Sequence, residues 1–218
     1  MKRKNQIIII LSSLLFLSVE SLTCCKSNSV PIPGQQKVLL KNLYIEYSKV
    51  GDAYFDVQRY SEAIDFYQKA MDEKELYWQC YYKIAKCYVF TSQWSDALEM
   101  FEILLEKDPE NSSLKASIAY IYSMSGELEN ALNIYKDLLK IQPNNEDYIE
   151  NFLAVVLGNK ELFTTNKSEF EQLFSFFKEN YSKNENIKIF QEKYDSYVTP
   201  PEKEKKIEED NNLDNKTN

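Results

Sequence analysis

The sequence predicts an all-α fold of tandem helical hairpins, and three observations carry that prediction. Glycine and proline are scarce, 4 and 6 among 218 residues, so breaks are few and helices should be long. Alternating apolar–polar runs of the strand kind are rare once the N-terminal apolar run is passed. The chain is also similar to itself at a spacing of 34 residues, as Ala63, Ala97 and Ala131 show.

Three segments align without gaps at that spacing: SEAIDFYQKA (61–70), SDALEMFEIL (95–104) and ELENALNIYKDLL (127–139). Tyr67, Phe101 and Tyr135 form a second column. Upstream lie Gly51, Ala85 and Ala119, then Tyr54, Tyr88 and Tyr122, then Val50, Ile84 and Ile118. Antiparallel helices approach closely only where one offers a small side chain, which the Gly/Ala columns supply. The aromatic columns fill the space around those gaps. A single hairpin leaves one apolar face bare, and stacking the next hairpin covers it.

These columns resemble the tetratricopeptide repeat, with repeats at 44–77, 78–111 and 112–145. The early large residue is Tyr47 and Tyr81, with Lys115 departing in the third. The proline after the second helix is Pro109 and Pro143, with Glu75 departing in the first. The resemblance implies a right-handed α-α solenoid. Ser61 and Ser95, followed by Glu62 and Asp96, look like helix starts; DPENSS (108–113) and QPNNED (142–147) look like inter-repeat turns that cap the next helix. Beyond 145 the periodicity decays. DYIENFLAVVL (147–157) continues the phase of a first helix, with Ile149, Phe152, Leu153 and Val156 as packing positions. Ser168–Tyr181 supplies its partner helix, with Phe170, Leu173, Phe174 and Phe177 on one stripe. Ile187–Val198 reads as one more helix. The expected organisation is therefore a leader (1–24), a flexible tether (25–36), three repeats (37–145), a degenerate fourth hairpin with capping helices (146–198) and a disordered tail (199–218).

The N-terminus carries Lys2, Arg3 and Lys4, then the apolar run Ile7–Val19, too short to span a bilayer but suited to a secretory leader. Cys24 and Cys25 follow. With Leu22 and Thr23 before them, they resemble the lipid-acceptor region of bacterial, spirochaete-like lipoproteins; the resemblance implies Cys25 as acceptor, with Cys24 the alternative. The expected location is then the bacterial cell envelope, lipid-anchored, the outer membrane favoured over the inner.

The chain contains no His, no Gly-rich phosphate loop and no Cys-x-x-Cys pair, so catalytic and metal chemistry have little to stand on, no cofactor or small-molecule substrate is expected, and an enzyme is only a remote alternative. A net charge of -8 argues against nucleic acid. Cys80 and Cys87 are seven residues apart on one helix face, about 10 Å at the helical rise, too far for a mutual disulfide. They read as buried small apolar residues.

In the family resembled here, the first helices line a groove for a peptide or helix. The matching positions are Phe55; Gln79, Tyr82, Lys86 and Phe90; and Ser113, Ala116, Tyr120 and Met124. Some members clamp a C-terminal carboxylate with Lys and Asn. Those positions here hold Ser48, Asp52, Lys83, Ser113 and Ser117, which disfavours that mode. The expectation is a non-catalytic, membrane-anchored adaptor that binds other proteins, as in envelope assemblies such as outer-membrane protein assembly or pilus assembly. The alternative is a surface-exposed peptide-binding or host-contact lipoprotein.

Overall fold

A computed structural model describes residues 34–199. The expected leader, both candidate lipidation cysteines (Cys24 and Cys25), most of the tether and the tail from 200 onward lie outside the described residues. Among those described there are nine helices and no strand: α1 Gln35–Asp56, α2 Tyr60–Ala70, α3 Tyr77–Phe90, α4 Trp94–Lys107, α5 Ser112–Ser125, α6 Leu128–Ile141, α7 Glu146–Leu157, α8 Lys160–Asn180 and α9 Asn186–Val198. Backbone contacts divide the chain into Met1–Leu43 and Tyr44–Asn218. In the first unit the start of α1 exposes Val38, Leu39, Leu40 and Leu43. The second unit holds the rest of α1 and the helices α2 to α9.

The core of this second unit is a series of clusters, each joining the second helix of one hairpin to the first helix of the next. Ala63, Tyr67 and Ala70 of α2 meet Cys80, Ile84 and Cys87 of α3. Ala97, Phe101 and Leu104 of α4 meet Leu114, Ile118 and Ile121 of α5. Ala131, Tyr135 and Leu138 of α6 meet Ile149, Phe152, Leu153 and Val156 of α7. Every alanine of both small columns is fully buried. Gly51 shows how close the approach is: a Cβ there would stand 2.6 Å from the Tyr67 ring. Val50 departs from its column. It is exposed where Ile84 and Ile118 are buried, because no second helix of a preceding hairpin stands against it within this unit.

The turns inside the hairpins repeat as faithfully as the helices. Gln58, Ser92 and Gly126 all have positive φ (61°, 58° and 91°). Their amides reach back three residues, to Phe55, Val89 and Ser123, and the next amide reaches back five, from Arg59, Gln93 and Glu127 to Tyr54, Tyr88 and Tyr122. This is the Schellman ending of a helix, with the left-handed residue just past its end. Because Arg59 and Gln93 are also the N-caps of the helices after them, α2 and α4 begin at Tyr60 and Trp94. Ser61 and Ser95 therefore lie inside the helices and cap nothing, contrary to the sequence expectation. The inter-repeat turns do use side chains. Asn111 Oδ1 accepts from the Ser113 and Leu114 amides, and Asn145 Oδ1 from the Tyr148 amide.

The helix after α7 also starts earlier than Ser168. Asn159 caps it through the Glu161 and Leu162 amides, and it runs from Lys160 with a bend at Asn166. The Asn166 side chain donates to the Leu162 carbonyl and accepts from Lys136, which inserts a polar group beside the helix ladder at the bend. The added two turns are anchored by Phe163, buried against Phe170, Tyr194 and Tyr197. α9 lays Phe190 on Phe174 and Phe177, and the Tyr197 hydroxyl donates to the Leu157 carbonyl. Asn184 and Asn186 bind the Glu150 carboxylate, clasping the α8–α9 turn to α7.

Candidate functional site

The first helices α3, α5 and α7 wall a cavity of about 600 Å³ whose floor is Phe101 of α4 and Tyr135 of α6. Of the positions expected to line a groove, Tyr82, Lys86, Phe90, Ser113, Ala116 and Tyr120 do so. Phe55, Gln79 and Met124 do not. Phe55 is turned into an aromatic cluster with Tyr60 and Phe90, ring centroids 5.4 Å from each, while Gln79 and Met124 stand exposed outside the cavity. The far wall is built by Asp147, Tyr148 and Asn151 of α7, which the decay of the repeat had concealed. A smaller cavity of about 370 Å³ adjoins through Tyr82 and Ser113 and is walled by Trp78, Leu104 and Lys107. The Lys107 ammonium lies over the Trp78 ring at 5.6 Å.

Between Tyr82 and Tyr120, the small Ala116 side chain leaves room on the cavity wall. Phe90, Tyr120 and Trp78 remain substantially exposed beside it. That exposure is unusual for large aromatics, which bury readily in an interior this well packed.

Charge is distributed unevenly. Lys83 is consumed internally: its ammonium binds both oxygens of Asp52 at 2.7 and 2.9 Å and the Ser48 hydroxyl at 3.3 Å. The Tyr67 hydroxyl also donates to Asp52, at 2.8 Å. Burial, and then that bond to an anion, hold the Tyr67 phenol far above the ordinary tyrosine range. Three of the five positions at which a carboxylate clamp would sit, Ser48, Asp52 and Lys83, are thus joined to one another through a carboxylate of the chain itself. Lys86, one turn further on, makes no ion pair or hydrogen bond among the described residues; its ammonium rests over Phe55 at 5.2 Å and Tyr82 at 5.9 Å.

Burial raises the Cys80 thiol and pushes Cys87 up to about 11, which leaves both as unreactive neutral thiols. Among the described residues no group of three or more His, Cys, Asp or Glu is placed to hold a metal, and no helix is long and apolar enough to cross a membrane. The lining offers an amphipathic surface on which Lys86 is an unpaired cation among the described residues.

The comparisons agree with the fold. The tetratricopeptide repeat model matches residues 54–119 and 91–154. Similar solved structures include a tetratricopeptide repeat protein from Parabacteroides merdae (18% identity, TM-score 0.59, 71% of this chain and 59% of that one). They also include pilF of Pseudomonas aeruginosa (15%, 0.54, 68% and 65%) and MamA of Desulfovibrio magneticus (14%, 0.54, 68% and 89%). No curated protein matches. Residues 54–154 thus match the tetratricopeptide repeat, and the described residues form an all-α array of helical hairpins like those of the solved tetratricopeptide repeat structures.

Proposed function

We propose that the protein is a non-catalytic adaptor, held at the bacterial cell envelope by a lipid on Cys25 or Cys24, that captures a segment of another protein in the α3–α5–α7 groove. The observation that carries this reading is the groove: an open, aromatic-walled cavity of about 600 Å³ with Tyr120 and Phe90 left exposed on its walls. Such a surface suits an extended or amphipathic segment, whose apolar side chains bury against the rings while its backbone meets the serines and Asn151. The basic, then apolar, then cysteine-bearing N-terminus supports the tether. Lipoprotein acceptors carry several acyl chains, which hold a membrane durably where one chain does not. Envelope assembly complexes, such as those that build outer-membrane proteins or pili, are the setting this combination fits best. A protein on the cell surface contacting a host is the other placement.

Two experiments test it. Affinity purification of the full chain from detergent-solubilised envelope is compared with the Tyr82→Ala/Tyr120→Ala variant. Loss of specific partners with the helical content intact is expected, and an unchanged partner set would remove the groove from the reading. Labelled fatty acid should enter the wild type and be lost when both Cys24 and Cys25 are replaced by Ser; label retained in that variant would end the lipoprotein proposal. Protease protection on intact cells separates an inward from an outward placement.

A further inference from the structure

Tyr67, Phe101 and Tyr135 occupy equivalent places on α2, α4 and α6, yet their ring ends differ. The Tyr67 hydroxyl is spent on Asp52. Phe101 has no hydroxyl. Tyr135 is 1% exposed, and its hydroxyl has no hydrogen-bond partner among the described residues. Among the described residues no buried side-chain nitrogen or oxygen is sealed off without a partner, so this hydroxyl reaches accessible space, and the cavity Tyr135 lines is the groove. Tyr148, itself buried, and Tyr120 line the same cavity, and their hydroxyls are likewise unclaimed. A hydroxyl that opens on a cavity with no protein partner keeps its donor and its acceptor sites free for whatever enters. A ligand group in the groove would complete the set.

The charge at this place narrows what that group is. Lys86 and Tyr120 are one 34-residue step apart, so they stand side by side on α3 and α5 across the groove. Lys86 makes no ion pair among the described residues. Asp147, the acid on the lining, corresponds to Ser113, seven residues before the Tyr120 position, and so lies about 10 Å towards the other end of the first helices. Glu150 is occupied by Asn184 and Asn186. A backbone carbonyl would satisfy a hydroxyl and leave the ammonium bare; a carboxylate satisfies both. A phosphate would call for a cluster of cations, usually arginines, and the lining holds one lysine. Burial, with the neighbouring Tyr120 and Tyr148 hydroxyls adding to it, keeps the Tyr135 phenol neutral and able to donate.

We propose that this corner of the groove is a subsite for the carboxylate of a Glu or Asp side chain, carried by an extended segment of a partner protein and held by the Tyr135 and Tyr120 hydroxyls and the Lys86 ammonium. The proposal rests on the groove being the binding surface and names what that surface selects. Acidity of the whole chain is no obstacle, since charges beyond about 8 Å are largely screened at physiological ionic strength.

The test is selection from a phage-displayed library of random dodecapeptides, fused through their C-termini so that no free carboxylate is offered, against the full chain in detergent. Selected peptides are then made with blocked ends and titrated. Peptides bearing an acidic residue among apolar ones are expected. Exchanging that Glu for Gln should weaken binding about tenfold, as for loss of a charged hydrogen bond, and should matter little to the Lys86→Met variant. Tyr135→Phe should weaken binding several-fold with no fall in thermal midpoint. Peptides that need Tyr82 and Tyr120 but show no Glu-over-Gln preference, or that ignore Tyr135→Phe, would overturn the subsite and leave the groove standing. Failure to enrich any peptide over the Tyr82→Ala/Tyr120→Ala variant would overturn both.

Discussion

Replacing Gly51 with Ala sets two physical rules against each other. Gly51 is interior to α1, where alanine is favoured over glycine by about 0.8–1.0 kcal/mol. By that rule the substitution stabilises. The structure places the new methyl 2.6 Å from Cδ1 and Cε1 of Tyr67 and 3.1 Å from its Cζ. Carbon atoms in contact prefer about 3.5–4.0 Å, so the ring would have to retreat by about 1 Å. It has nowhere to go. Tyr67 is fully buried among Ala63, Ala70, Cys80, Ile84 and Cys87, and its hydroxyl is tied to Asp52. Overpacking of this sort costs about 1–3 kcal/mol. Set against the helix gain, the expected net loss is about 1 kcal/mol, with a range from nearly none to about 2. Urea titration followed by far-ultraviolet circular dichroism should show a lower midpoint at unchanged slope. In a Tyr67→Phe background, where the ring is untethered and can slide, the same substitution should be less harmful, a coupling that a double-mutant cycle reads directly. A rise in stability of about 1 kcal/mol for Gly51→Ala, the propensity value alone, would refute the close contact.

Tyr67→Phe and Tyr135→Phe, equivalent in sequence, should behave differently: the first loses a hydrogen bond to a half-exposed carboxylate and about 1–2 kcal/mol, while the second loses no protein partner and should hold its thermal midpoint. Loss of stability in Tyr135→Phe would mean its hydroxyl is already bonded. Gln58→Gly and Ser92→Gly should each raise the urea midpoint, by about 0.5–1 kcal/mol of stability, because a left-handed conformation costs a side-chain-bearing residue more than glycine's extra entropy; Gly126→Ala should do the reverse, its Cβ meeting nothing, so that the loss is backbone strain alone. The Cys87 thiol, raised by burial to about 11, favours folding fully below the unfolded thiol's pKa and loses that contribution as pH rises through 11. Wild type minus Cys87→Ala stability should therefore decline above about pH 8.5, and a flat difference would contradict the burial.

Much of this architecture is written in the spacing. Hairpins that stack on identical neighbours demand the same small or aromatic residue at the same place each time, so Ala63, Ala97 and Ala131, and Tyr67, Phe101 and Tyr135, are visible without coordinates. The inter-repeat turns at 108–113 and 142–147 were legible as capping segments, and the structure assigns the caps to Asn111 and Asn145. The Schellman turns were not, since Gln58, Ser92 and Gly126 share a backbone conformation and no chemistry. Nor was the early start of α8, which depends on Phe163 reaching Tyr194 and Tyr197 much later in the chain.

At the groove the division is sharper. Six of its lining residues are among the first-helix positions that the family resemblance implies for a groove. Only the tertiary structure decided that Lys83 is spent on Asp52 while Lys86 is not, that Phe55 turns away into Tyr60 and Phe90, and that Tyr135 lines the cavity from beneath. Packing between neighbouring hairpins is periodic and so leaves a periodic trace. Hydrogen-bond and charge partnerships depend on which side chains from separate helices meet in space, and no spacing along the chain encodes that.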